Sequence, residues 1–239
     1  MTSLKKNFIY NVVYQMLLII LPLITAPYIA RTLGAEGVGI YSYTYSVAQY
    51  FLLFAMLGIS NHGNRSIAAV REDDCKLSRT FWSIYSIQAF MYVLAIIAYL
   101  IYLFAFNVDN KTIVAIQFIY VVSGALDISW YFFGTEQFKI TVTRNMIIKI
   151  ATVILMFIFV HNPGDLAKYT VIMAGGTFLS QAYLWTYIFR QVDVVKVNWI
   201  DIKKHIKEVI ILFIPVIAYS IYKLMDKIML KQYANRSGC

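Results

Sequence analysis

Residues 80–106 read TFWSIYSIQAFMYVLAIIAYLIYLFAF, without one charged side chain. A helix needs about 20 mostly apolar residues to cross roughly 30 Å of hydrocarbon, and this stretch exceeds that. Working outward, comparable runs occupy Phe8–Ala30, Ile40–Ile59, Ile113–Phe133, Asn145–Val160, Tyr169–Phe189 and Val209–Leu230. None alternates with period two at barrel-strand length, which argues against a β-barrel. The expectation is an all-α, polytopic transmembrane bundle of about seven spans.

Composition agrees. The chain has 239 residues, 60% of them apolar and only 14% charged, against about 25% charged in soluble domains. The net charge of +9 would suit nucleic acid or a membrane surface. The basic residues lie in short connectors between apolar runs, so nucleic acid is not expected as a partner. Lys5 and Lys6 precede the first run as in a signal peptide, but that run is too long and further spans follow. Two cysteines, Cys75 and Cys239, give no disulfide framework.

Lysine and arginine distribution sets the expected orientation. One set of connectors holds Lys5, Lys6, Arg65, Arg71, Lys76, Arg79, Lys139, Arg144, Lys149, Arg190, Lys196, Lys203, Lys204 and Lys207. The alternate set holds Arg31, Lys111 and Lys168. This predicts a cytoplasmic N-terminus. In Asn198–Ile210, Ile202, Ile206 and Ile210 share one helical face while Lys203, Lys204 and Lys207 point elsewhere. That is either a basic amphipathic helix on the anionic inner leaflet or an extension of span seven.

Leu18–Ile24 and Ile211–Ile217 are both apolar around a central proline, Pro22 and Pro215. Six spans between similar helices give both the same orientation, as in a parallel transporter repeat. The expected division is a six-helix lobe over residues 1–190, a cytoplasmic amphipathic linker over 191–208, and the first helix of a second lobe over 209–239. On that reading the chain is a truncated product or a fragment. Pro22 and Pro27 are expected to bend the first helix, and Gly34–Gly39 to form a tight turn after it.

Polar groups within or beside spans are the functional candidates, because lipid opposes them. Asn11 and Gln15 share a face of span one, Asp127 lies deep in span four, Gln181 in span six, and Lys223 and Asp226 in span seven. Arg31, Arg65 and Lys149 lie near span ends. Together they suit a basic cavity for an anionic headgroup such as a diphosphate. Singly, the cations could snorkel to lipid headgroups, Asn11 and Gln15 could join helices, and Lys223 could pair with Asp226. His62, His161 and His205 are scattered and none begins an HExxH. No catalytic, metal or cofactor signature appears.

Leu21-Pro-Leu-Ile-Thr-Ala-Pro-Tyr-Ile-Ala-Arg-Thr-Leu-Gly34, with Gly37-Val-Gly-Ile-Tyr41, resembles the opening of bacterial Wzx-type polysaccharide and O-antigen flippases. Asp127-Ile-Ser-Trp-Tyr-Phe-Phe-Gly134 through Lys139 is similar to that family's span-four motif, and Asp226-Lys-Ile-Met-Leu230 to the start of its second lobe. The resemblance implies half of a two-lobe exporter in the multidrug/oligosaccharidyl-lipid/polysaccharide superfamily. It would flip undecaprenyl-diphosphate-linked sugar units across the inner membrane without breaking a bond. Implied partners are the lipid-linked oligosaccharide, membrane lipids, a polysaccharide polymerase and chain-length proteins. Arg31, Arg65, Lys149 and Lys223 would hold the headgroup, Asn11 and Gln15 the sugar, and Asp127 and Asp226 would gate or couple an ion. A multidrug exporter of the same superfamily and an inactive truncated product are the alternatives. An enzyme is not expected, since the connectors opposite the basic side are short.

Overall fold

The computed structural model describes residues 2–56 and 58–212, with side chains from residue 15 onward except those of 17 and 18. Among these residues the regular structure is entirely helical. Helix α1 (Thr2–Met56) contains one non-helical residue, Gly34, at φ 70 and ψ 175. That region of backbone space is essentially reserved for glycine. The turn expected over Gly34–Gly39 is therefore a single-residue kink, after which the helix resumes. Pro22 and Pro27 lie inside the first half with helical backbone angles. Proline keeps a helix-compatible φ even as it removes a hydrogen bond, so the sharp break falls at the glycine instead.

Helix α2 (Ile59–Val70) leads to α3 (Asp74–Ala105), whose N-cap Asp73 accepts from the Lys76 amide at 3.0 Å. Helix α4 (Lys111–Ala125) is followed by the short α5 (Ser129–Gly134). Glu136, in the left-handed region at φ 58, turns the chain into α6 (Phe138–Phe159). A 3₁₀ turn (Pro163–Asp165), closed by a capping box between Asn162 and Asp165, starts α7 (Leu166–Ile188). A final helix, α8, covers residues 199–212.

Contacts between helices sort the connectors into two ends. At one, the Tyr28 hydroxyl donates to Val160 O at 2.6 Å, and Ile29 and Leu33 pack with Met156 and Val160. At the other, Ile59, Ile67, Phe81, Trp130, Tyr131, Phe132, Leu184, Ile188 and Val209 form the largest buried cluster. This second end carries α2, α5 and α8 and most of the basic residues. Between the ends, α3 presents Gln88, Tyr92, Ala95, Tyr99 and Leu103 inward and leaves Phe90, Val93, Leu94, Ile97, Ile101 and Phe104 exposed. Apolar residues on both faces are what a lipid-bathed helix needs.

Among the described residues, three helical stretches are long and apolar enough to cross a membrane: Asp74–Ala105, Lys111–Gly134 and Phe138–Phe159. The all-α membrane bundle read from the sequence is borne out. The two halves of α1 and helix α7 coincide with further apolar runs. Most of the seventh run lies outside the described residues. The fifth apolar run begins at Asn145 in the sequence, but α6 starts at Phe138. Arg144, placed by sequence in a connector, is thus inside a helix.

Candidate functional site

The seam between α6 and α7 holds a buried polar network centred on Arg144. Arg144 is 5% exposed. Its Nη1 donates to Ser180 O at 2.9 Å and to Gln181 Oε1 at 3.0 Å, and its Nη2 donates to Asn145 Oδ1 at 2.9 Å. Ser180 Oγ donates to the same Asn145 oxygen at 3.4 Å. A guanidinium is costly to bury unless its donors are paired in this way. The neighbouring residues let the helices close together: a Cβ on Gly176 would strike the Thr152 side chain.

Two hollows adjoin this network. The first, of about 260 Å³, is lined by Asn145, Lys149, Thr152, Thr177, Ser180 and Gln181, with Ile148, Met173 and Gly176. It offers one ammonium, two amides and three hydroxyls. The second, of about 390 Å³ and nearer the basic end, is lined by Lys139, Thr143, Arg144, Tyr183 and Tyr187 over an apolar floor of Ile140, Ile147 and Ile148. The Tyr183 and Tyr187 hydroxyls lie 2.8 Å apart. Arg144 lines the second hollow, and its three partners line the first. The pair of hollows can take an anion with hydroxyl-rich groups in one and apolar chain in the other.

Of the candidates read from sequence, Lys149 and Gln181 are brought together in the first hollow. Arg31 is exposed at the end defined by Tyr28 and Val160, and Arg65 is exposed on α2 at the basic end. The structure does not gather these cations into one cavity. Gln15 is exposed. The Asn11 side chain, Lys223 and Asp226 lie outside the described residues. Asp127 sits at the α4–α5 junction, where its carboxylate accepts from the Ser129 amide at 3.0 Å. Gln88, fully buried, donates to Asp127 O at 2.9 Å and accepts from Trp130 Nε1 at 2.9 Å.

Arg144 and Asn145 are site residues that sequence reasoning misses. The available signal is Gln181, a polar residue in an apolar run that needs a partner. Sequence separation hides the rest. The same holds for His62 and His205, scattered in sequence but 2.8 Å apart. In Asn198–Ile210, Ile202, His205 and Ile206 are half-buried and Val209 is buried, whereas Ile210 is exposed. The α8 face expected to meet lipid is therefore largely turned onto the bundle.

Residues 4–237 match the family described as Polysaccharide biosynthesis protein. Two relatives carry the name "Putative O-antigen transporter": that of Escherichia coli (strain K12) is 27% identical over 92% of this chain, and that of Shigella dysenteriae is 24% identical over 97%. The chain spans 54% and 59% of their respective lengths. No solved structure matches. With nearly its whole length matched, the chain belongs to the polysaccharide biosynthesis protein family, as its motifs at Leu21–Tyr41 and Asp127–Lys139 led one to expect.

Proposed function

We propose that the chain forms one half of an exporter that flips undecaprenyl-diphosphate-linked oligosaccharide units across the bacterial inner membrane. Residues 1–190 make up its first lobe, 191–208 the cytoplasmic linker, and 209–239 the start of the second lobe. The observation that carries this reading is the Lys149 hollow: an ammonium among amides and hydroxyls, set between the apolar helices α6 and α7. The diphosphate is held by charge-assisted hydrogen bonds from Lys149, while Asn145 and Gln181 meet sugar hydroxyls. The apolar floor by Arg144 and Lys139 takes part of the polyprenyl chain. Arg31 and Arg65, at opposite ends of the bundle, contact the headgroup on entry and exit, and Lys223 joins them from the second lobe. Asn11 and Gln15 serve the sugar. Asp127 and Asp226 gate the path or couple an ion. The names of the relatives support export of polysaccharide units, and the cationic lining disfavours a carrier of cationic drugs.

The test is restoration of surface polysaccharide in a bacterium lacking its flippase, using the full-length protein. Lys149→Ala is expected to lower export about tenfold or more at equal membrane expression, the effect of losing one charge-assisted contact of ~1.5–3 kcal/mol, while Lys149→Arg retains part of it. Arg65→Ala and Asp127→Ala are measured alongside. Full export by Lys149→Ala removes the hollow from the path.

A further inference from the structure

Helix α8 is pinned to α2 by three side chains, one on α2 and two on α8. His62 is 2% exposed. Its Nδ1 lies 3.0 Å from Glu208 Oε2 and its Nε2 lies 2.8 Å from His205 Nδ1, with Ser66 Oγ at 3.3 Å. The two rings meet at 60° with centroids 5.0 Å apart. The backbones are close too: a Cβ on Gly58 would collide with Val209 O and lie 2.8 Å from Leu212 Cβ. Among the described residues no group of three is arranged to hold a metal ion, so the ligand these nitrogens offer to bind is the proton.

We propose that His62, His205 and Glu208 form a proton-binding clasp, closed when both imidazoles are neutral and opened by acid, which fastens the linker helix to the bundle. The hydrogen bonds order themselves: His62 Nδ1–H donates to the Glu208 carboxylate, and His62 Nε2 accepts from His205 Nδ1–H. With both rings doubly protonated, two N–H groups face each other across 2.8 Å, and that bond is lost. Burial holds both imidazoles below the usual histidine value of 6.5; Glu208 opposes this at His62, and at His205 the His62 ring and Lys204 add to it while Glu208 and Asp201 oppose it. The undocked helix therefore takes up more protons than the docked one. By linkage the docked state is fully favoured above about pH 6.5 and loses ground as pH falls below it. Arg65 lies exposed on the same helix, three residues from His62.

The test reads a distance, so it is independent of the transport reading. Nitroxide labels at Ala68→Cys on α2 and Lys203→Cys on α8, both exposed, are placed in the full-length protein with other cysteines replaced by serine. Pulsed electron resonance in lipid nanodiscs at pH 7.5 and 5.0 should show the undocked population rising about tenfold or more, as expected when a group of ordinary histidine pKa is freed. His62→Gln/His205→Gln should abolish the response. An identical distance distribution at both pH values overturns the clasp, and so does an unchanged response in the double variant. If the double variant is misfolded at pH 7.5, His205→Gln alone is used, and it should at least halve the response; a full response overturns the clasp.

Discussion

Trp130 shows what the most family-specific stretch contributes one residue at a time. Its ring lies against Gly63, where an added Cβ would come within 2.6 Å of Trp130 Cε3, and its indole N–H satisfies fully buried Gln88. Trp130→Phe keeps most of the apolar contact but removes the donor to Gln88 Oε1. A buried acceptor left unmade costs about 1–3 kcal/mol. The expected result is a lower thermal unfolding midpoint for the full-length protein in detergent; an unchanged midpoint would mean the acceptor finds a substitute. The sequence marks Asp127-Ile-Ser-Trp130 as special but cannot say why. Its packing depends on Gln88 and Gly63, one on α3 and one on α2, and nothing local encodes those neighbours. Lys149 is legible because a cation flanked by apolar residues stands out. Arg144 is not, since a cation close to a helix start reads equally well as part of a connector.

Among the elements, the helices themselves are readable, because apolar runs of membrane length admit few other structures. Their ends are less so. The kink in α1 sits at Gly34, where an added Cβ would meet no atom within 4 Å. Space therefore does not explain the glycine; the backbone angles do. Gly34→Ala is expected to destabilise by about 1–3 kcal/mol despite the open surroundings, read as a lower unfolding midpoint, whereas Gly39→Ala, equally open and without a positive φ, should be close to neutral. Equal behaviour of the two variants would show that the kink is not held by Gly34. The two prolines attract the expectation of a bend because they are the strongest breakers by type, but they sit on helical φ. Helix α8 is legible as amphipathic, yet its partner is not, because an apolar stripe looks the same whether it meets lipid or protein.

In the whole molecule, the contacts sort the connectors into two ends, and α2, α5 and α8 with most of the basic residues lie at one of them. The cross-bundle pairings are not legible in the sequence: Tyr28 with Val160, His62 with His205, and Arg144 with Gln181 each join distant parts of the chain. One of these pairings bears on how the protein is made. Helix α6 must enter the bilayer carrying Arg144 within its first third, where a cation costs less than the about 2.5–3.5 kcal/mol of a segment centre but is still opposed by lipid. Two of the acceptors that neutralise that cost, Ser180 O and Gln181 Oε1, arrive only with α7. The two helices should therefore partition into lipid as a hairpin, not one after the other. Glycosylation mapping of translocated segments is expected to find α6 inserting less completely alone than joined to α7, and Arg144→Leu should erase that difference. Equal insertion of α6 with and without α7 would mean that the guanidinium reaches the headgroups during synthesis and finds its partners only later.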